Sequence, residues 1–322
     1  MAIELGCFSK PRLGISACLV GQKVRYDGGH KHDHFLTDTF GRFIDWVVVC
    51  PEVEVGMSVP RESVRLVASI NEPRMIAERS GKDWTETMQR YAAVRTRDLA
   101  ELKLSGYVFK KNSPSCGLER VRIYNAKNMP VRHGRGLFAQ AVMVRLPLMP
   151  AEEEGRLNDP ALRENFIERV FAYHRWQEAL AASKSAGALV KFHTQNKFLL
   201  LAHSERHYRR LGRLVADVKK TSLRAAYDEY GRLFMEALAV HANARKHANV
   251  LDHMMGYFSK QLDPAERREL AELIADYRRE LIPLIVPVTL IRHYVKKYAV
   301  AYLENQEYLE PSPKELMLRN HV

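Results

Sequence analysis

The fold is decided by the segment YVFKKNSPSCG at residues 107–117, where a short apolar run is followed by a turn. The run Tyr107–Phe109 is typical of a strand that is buried on both faces. Pro114 fixes its own φ and keeps Ser113 out of the helical region, while Gly117 lets the chain leave the turn without steric cost. The segment therefore predicts a rigid loop at a strand end that presents two hydroxyls and one thiol. Open α/β sheets bind ligands at the carboxyl ends of their strands, which makes this loop a candidate site.

Two further cysteines follow apolar runs in the same way as Cys116. Cys18 comes after RLGISA at 12–17, and Cys50 comes after WVVV at 46–49. If the three strands are parallel, their carboxyl ends lie at one edge of the sheet and the thiols could converge there. Three thiolates suit zinc or an iron–sulfur cluster, and no CxxC motif narrows the choice. Three unrelated core cysteines are the alternative.

The order of the predicted elements indicates the architecture. Residues 84–104 carry apolar side chains at helical spacing, and they precede the strand at 107–109. Strand–helix–strand order is typical of a parallel sheet with right-handed crossovers. We therefore predict an α/β N-terminal domain with a mainly parallel sheet over residues 1–150. A helical linker over 151–186 and an all-α C-terminal domain over 187–322 follow, with an extended tail near 308–313.

Composition and charge limit the classes of protein to which the chain can belong. The 322 residues are 46% hydrophobic, which suits two globular domains. No apolar run approaches the roughly 18 residues that a membrane span needs, and the N-terminus lacks the pattern of a signal peptide. We therefore expect a cytoplasmic protein without a membrane partner, in which structural disulfides are rare. The oligomeric state cannot be predicted from the sequence.

The net charge of +12 indicates a polyanionic partner. The charge is +8 over residues 1–150, −2 over 151–186 and +6 over 187–322. Residues 190–224 hold nine Lys or Arg against two acids. Helical spacing places four of these cations on one face. The candidate phosphate contacts are Lys197, Arg206, Arg209, Arg210, Arg213, Lys219 and Lys220, and the face with the four arginines is favoured.

Three motifs of the N-terminal part resemble the thiouracil desulfidase family. They are SACLxGxxVRYDGG at 16–29, VCPEV at 49–53 and KxxSPSCG at 110–117, and the resemblance covers about residues 10–150. It implies a [4Fe-4S] cluster that is held by Cys18, Cys50 and Cys116, with one iron that has no protein ligand. Cys7 lies outside the motifs and is expected to be a bystander. The segment at 53–57 departs from the family pattern, so the choice of substrate could differ.

The same resemblance implies roles for residues around the cluster. Glu52 would act as general acid or base while an open iron binds the soft sulfur of a thiocarbonyl. Ser113 is the favoured hydroxyl for positioning water or the base, and Ser115 is better suited to supporting the loop. The remaining candidate substrate-binding residues are Arg25, Tyr26, Asp27, Lys110 and Lys111. Replacing sulfur by oxygen on a carbon is a hydrolysis, so no external electron is needed.

The C-terminal part resembles the YbgA-like helical domain through KFHTQNKFLLLAHS at 191–204, PLIVPVTLIRHYVKKY at 283–298 and YLEPSPKEL at 308–316. Fusions of the two domains resemble desulfidases that act on thiolated uridine in tRNA, which implies tRNA as the partner. The expected activity is therefore conversion of thiouridine, with 4-thiouridine favoured, to uridine. The alternatives are a desulfidase for free thiouracil and a non-enzymatic RNA-binding protein with a structural zinc on the same cysteines.

Overall fold

The computed structural model describes residues 10–68, 72–182 and 184–322. The chain divides into two compact units, with the boundary between Asp159 and Pro160. The first unit is α/β and the second is helical, which confirms the predicted fold class. The prediction for Cys7 concerns a residue that lies outside the described ranges.

The described part of the first unit contains eight strands and three α-helices. The strands are β1 (Arg12–Ser16), β2 (Asp45–Val49), β3 (Val64–Ala68), β4 (Pro73–Ala77), β5 (Gly106–Phe109), β6 (Val121–Tyr124), β7 (Pro130–Gly134) and β8 (Ala151–Glu153). The helices are α1 (Pro51–Glu54), α2 (Thr85–Glu101) and α3 (Leu137–Arg145).

A parallel sheet with the order β2-β1-β5-β8 forms the core of this unit. Its central strands are buried because they are covered on both faces, which explains their continuous apolar runs. Gly14 of β1 is required by packing, since a Cβ at this position would meet the Tyr107 ring at 2.1 Å. The chain leaves β1, β2 and β5 at the same edge, so the segments that carry Cys18, Cys50 and Cys116 all start there.

A second sheet with the order β4-β3-β6-β7 was not predicted from the sequence. Its β3–β4 and β6–β7 pairs are antiparallel, and β3 pairs with β6 in parallel. The strands are short and interrupt their apolar residues with exposed or half-exposed arginines such as Arg65 and Arg122. This pattern predicts a strand less clearly than the apolar runs of the first sheet do, because only one face of these strands is buried.

The second unit is built from nine α-helices among the residues that the structure describes. They are α4 (Pro160–Ala182), α5 (Ala186–Gln195), α6 (Lys197–His203), α7 (Glu205–Ala216), α8 (Leu223–Ala239), α9 (Ala244–Gly256), α10 (Pro264–Arg278), α11 (Ile285–Lys297) and α12 (Ala301–Glu304). None of the described helices is long and apolar enough to cross a lipid bilayer.

The segment at 151–186 differs from the linker that we expected. Its start forms β8, which pairs with β5, and most of the remainder forms α4. Phe166 and Trp176 of α4 are buried, and the Trp176 ring lies 5.2 Å from that of Tyr230 in α8. Strand β8 is therefore part of the first unit through its pairing with β5, and α4 is part of the second unit through its buried side chains.

The tail at 308–313 is also more ordered than the extended segment that we expected. Tyr308 and Leu309 lie in a 3₁₀ turn, Glu307–Leu309, and both are buried. The Arg319 guanidinium donates to the Tyr308 carbonyl at 2.6 Å, and the Tyr308 hydroxyl lies 2.9 Å from His247 Nδ1. These tertiary contacts order the turn, which local sequence could not indicate.

Candidate functional site

A cavity of about 620 Å³ lies at the carboxyl edge of the parallel sheet. Cys18, Cys50 and Cys116 all line it, together with Glu52 and the two serines of the loop. Residues of β3 and β6 form another part of the wall, so the unpredicted second sheet helps to enclose the cavity. The predicted convergence of the strand ends is thus present in the structure.

The three cysteines are held by different local structures and carry no disulfide. Cys18 lies in the 3₁₀ turn Ala17–Val20, Cys50 precedes α1, and Cys116 lies in the SPSC loop. Burial raises the pKa of Cys18 to about 11, and it raises the pKa of Cys50 and of Cys116 as well. A bound metal would have to supply the positive charge that stabilises thiolates at this depth.

Three thiols at one cavity are suitable ligands for zinc or for an iron–sulfur cluster. Among the described residues, His32, His34 and Asp38 form a separate group whose ligand atoms all lie within 4.8 Å of one another. All three are exposed, and none of them lines the cavity.

The SPSC loop is stabilised by hydrogen bonds from its own backbone and from α3. Ser113 Oγ accepts from the backbone N–H of Ser115 at 3.3 Å and of Cys116 at 3.1 Å. The first N–H groups of α3 donate to the carbonyls of Pro114 and Ser115 at 3.1 Å. Helix N–H groups without an internal partner thus hold the loop in place. Gly136, which precedes α3, fits tightly, since a Cβ there would meet the Ser115 carbonyl oxygen at 2.4 Å.

Glu52 lies at the centre of a hydrogen-bonded group beside the cysteines. Ser115 Oγ donates to its Oε1 at 2.5 Å, and Ser113 Oγ lies 3.4 Å from the same oxygen. Arg61 forms an ion pair with the other carboxylate oxygen, and the side chains of both residues are largely buried. The guanidinium also donates to the Val24 carbonyl at 3.0 Å, which ties the segment before β3 to the loop after β1.

Two features of this group differ from what we expected. Arg61 was not among the predicted site residues, because it lies in an irregular segment nine positions after Glu52. The roles of the serines also differ from the prediction. Ser113 supports the loop backbone, whereas the buried Ser115 positions the carboxylate.

The residues of the VRYDGG motif are divided between the cavity and its rim. Arg25 and Tyr26 line the cavity, and Tyr26 is 47% exposed. Asp27 is outside the lining residues; it pairs with Arg25 at 3.4 Å and accepts from the Gly29 N–H at 3.0 Å. Asp27 therefore orders the loop and positions Arg25.

The two lysines before the SPSC loop have different surroundings. Both line the cavity, but the Lys110 ammonium forms a largely buried ion pair with Glu154. Its charge is compensated inside the protein, so Lys110 is a weaker phosphate contact than the sequence suggested. Lys111 is exposed, and its backbone N–H donates to Glu154 at 2.8 Å. Glu154 was not predicted as part of the site.

Most of the predicted RNA contacts lie on two helices of the second unit. Arg206, Arg209, Arg210 and Arg213 are exposed on α7, opposite its buried Leu211 and Val215. Arg209 pairs with Glu205, and Arg210 pairs with Glu229 at 2.8 Å. In the described part of the chain, Arg206 and Arg213 have no ion pair. Lys197 is separate from this face, at the start of α6.

Comparisons with known proteins match the two units separately. The family model "2-thiouracil desulfurase" matches residues 13–154, and the model "Protein of unknown function (DUF1722)" matches residues 197–313. The uncharacterized protein YbgA of Escherichia coli (strain K12) is 39% identical over 158 residues, which are 49% of this chain and 94% of YbgA. The uncharacterized protein YbbK of Bacillus subtilis (strain 168) is 32% identical over 111 residues, which are 32% of this chain and 71% of YbbK.

One solved structure that is similar is the [4Fe-4S]-dependent thiouracil desulfidase TudS, at 28% identity and a TM-score of 0.37. The match covers 46% of this chain and 94% of TudS. The chain belongs to the 2-thiouracil desulfurase family through its first unit and to the DUF1722, or YbgA-like, family through its second.

Proposed function

We propose that the protein is a [4Fe-4S]-dependent desulfidase that converts thiolated uridine in tRNA to uridine and sulfide. One observation carries the proposal: three thiols and a buried Glu52–Ser115–Arg61 group line the same cavity. Membership of the desulfurase family and the [4Fe-4S] dependence of TudS support the cofactor and the reaction type.

The donor set fits a [4Fe-4S] cluster with one iron that has no protein ligand. Cys18, Cys50 and Cys116 are the cysteines among the residues that line the cavity, and cysteine thiolates are the usual ligands of such clusters. When bound, such a cluster supplies a Lewis-acidic iron that polarises the C=S bond of a thiocarbonyl.

The side chains of the site provide the proton transfers. Glu52 is the general base that takes a proton from the attacking water, and Ser115 and Arg61 hold the carboxylate in place. The water oxygen bonds to the ring carbon as the carbon–sulfur bond breaks, and the sulfur leaves as sulfide. Because water supplies the oxygen and protons, the reaction is a hydrolysis and no oxidant or reductant is consumed.

The choice of tRNA over a free base rests on charge and on the second unit. Residues 187–322 carry a net charge of +6, and α7 presents exposed arginines on one face. Cationic faces bind nucleic acid by neutralising phosphates. A free thiouracil has no phosphate, so it would not require this surface.

Mass spectrometry of nucleosides from tRNA that contains thiouridine tests the proposal. With reconstituted protein, we expect loss of thiouridine, an equal gain of uridine and release of sulfide.

Cys18→Ala, Cys50→Ala and Cys116→Ala are each expected to lose bound iron and activity, whereas Cys7→Ala keeps both. Release of sulfide from free thiouracil but not from tRNA would contradict the substrate. A colourless protein that binds zinc but no iron would contradict the cofactor.

A further inference from the structure

Two stacked tyrosines form an exposed aromatic surface on the second unit. Tyr257 directly follows α9 and Tyr302 lies in α12; their ring centroids are 5.1 Å apart and the rings are nearly parallel, at 3°. Each tyrosine is 37% exposed. The Phe198 ring, which packs edge-on against the Tyr257 ring, is fully buried. The pair therefore packs on a core aromatic residue and leaves part of each tyrosine open to solvent.

The Lys197 ammonium lies among these rings and, among the residues that the structure describes, has no acidic partner. Its Nζ is 5.8 Å from the Tyr257 centroid and 5.6 Å from the Tyr302 centroid, and it donates to the Tyr257 hydroxyl at 3.3 Å. In the described part of the chain no carboxylate pairs with it. By contrast, Lys297 pairs with Glu266 at 2.6 Å. Lys197 thus keeps its positive charge available to an external anion.

The aromatic surface includes Lys197, which lies at the start of helix α6. Helix α6 packs against α7, the helix that carries the exposed arginines. These arginines lie on the side of α7 opposite its buried Leu211 and Val215, so they form a cationic face separate from the aromatic surface.

The chemistry of this surface selects the class of ligand. Aromatic rings that surround an empty space can bind a cation, but here Lys197 already occupies the position beside the rings. Partly exposed aromatic residues next to an uncompensated ammonium instead suit a planar base that is linked to a phosphate. Base–aromatic stacking with a nearby cation is how proteins bind unpaired nucleotides.

We propose that Tyr257 and Tyr302 form a stacking platform for an unpaired base of RNA, with Lys197 contacting the adjacent phosphate. The inference rests on the proposed function, because the RNA would be the tRNA substrate. It adds a mode of recognition that charge alone does not provide, since stacking depends weakly on salt whereas phosphate contacts depend on it strongly.

Binding of bulk bacterial tRNA and of a short single-stranded oligouridine to the full-length protein tests the platform. Tyr257→Ala and Tyr302→Ala should each weaken binding by roughly 5- to 150-fold, the range for loss of one stacked base, with little change in salt dependence. Tyr257→Phe keeps the ring and should bind like the wild type. Lys197→Ala should weaken binding and lower the salt dependence by about one phosphate contact.

Leu281→Ala is the matched control, because Leu281 is 63% exposed in the same unit and has no place in the platform. Thermal unfolding of each variant checks that the unit remains folded. Folded Tyr257→Ala and Tyr302→Ala proteins that bind RNA as tightly as the wild type would overturn the platform and leave the proposed desulfidase intact. Weakened RNA binding together with no release of sulfide from wild-type tRNA incubations would keep the platform and overturn the proposed substrate. A wild-type protein that binds neither RNA would overturn both.

Discussion

At the scale of single residues, Glu52 has the most direct link to chemistry. Its carboxylate accepts from Ser115 and pairs with Arg61 within the cavity that holds the cysteines. Glu52→Gln keeps the size of the side chain but removes the base, so turnover should fall on the order of 10²- to 10⁴-fold. Bound iron should stay at the wild-type level, since Glu52 is not a proposed ligand. Near-normal turnover in the iron-loaded variant would exclude Glu52 as the base.

Substitutions of the two loop serines should have different effects on turnover and on iron content. Ser115→Ala removes a hydrogen bond to a carboxylate, which is worth about 1.5–3 kcal/mol, so turnover should fall roughly 10- to 150-fold while iron is retained. Ser113→Ala removes the acceptor for the Cys116 N–H and should therefore reduce the iron content first. Iron analysis beside steady-state kinetics separates these effects. Equal losses of turnover at full iron content in both variants would contradict the assignment.

At the scale of elements, the packing of α3 on the SPSC loop sets the position of Cys116. Gly136→Ala would place a Cβ 2.4 Å from the Ser115 carbonyl oxygen and 2.9 Å from the Cys116 nitrogen. Overpacking of this kind costs about 1–3 kcal/mol, and the loop should shift to relieve it. We expect a lower unfolding temperature and a lower iron content. Gly187→Ala in α5 is the control, because its new Cβ would have no described atom within 4 Å apart from its own helix backbone and chain neighbours.

Helix α7 carries four of the predicted contacts to RNA phosphates. Reversing Arg206, Arg209 and Arg213 to Glu should weaken tRNA binding and reduce its salt dependence by roughly 0.7–0.9 for each lost phosphate contact. Activity on free thiouracil, if the protein has it, should not change. Reversal of Arg245, Arg268 and Lys314, which are exposed elsewhere on the second unit, is the control with the same change in net charge. Equal effects of the two triple variants would show that only total charge matters.

At the scale of the whole molecule, a buried charged cluster ties the C-terminal segment to the helical unit. Glu168 of α4 bonds to His203 of α6 and to Arg319 near the C-terminus, where the Arg319 Nη2 to Glu168 Oε2 distance is 3.1 Å. Burial by itself would raise the pKa of Glu168, but His203 and Arg319 hold it at about 2. A carboxyl group with a lowered pKa stabilises the fold above its unfolded pKa of about 4.3, and that contribution is lost as the pH falls toward 2.

The variant Glu168→Gln tests this cluster. Near neutral pH it should be less stable than the wild type by about 3–5 kcal/mol, because the buried Arg319 and His203 lose the carboxylate between them and Arg319 keeps only Glu164, at 3.5 Å, as a counter-charge. The difference should shrink as the pH falls from about 4 to about 2, where the wild-type carboxylate is itself protonated. Urea unfolding across this pH range is the measurement. A difference that does not change with pH would exclude ionised Glu168 as its source.

The sequence by itself determined the parallel sheet, the helical second unit and the cysteines at the strand ends. These features depend on local signals: continuous apolar runs, helical periodicity and the turn chemistry of Pro114 and Gly117. Parallel strands place their carboxyl ends at one edge, so the common position of Cys18, Cys50 and Cys116 follows from topology. The motif around Glu52 likewise lies within a few residues of a strand end.

Only the tertiary structure decided which partners these residues have. The pairing of Glu52 with Arg61, the neutralisation of Lys110 by Glu154 and the distinct roles of the serines each join segments by contacts that leave no local pattern. The same holds for the aromatic surface, which brings Lys197, Tyr257 and Tyr302 together from three helical segments. Local signals specify elements because they act through neighbouring residues, whereas charge compensation and stacking depend on how the elements pack.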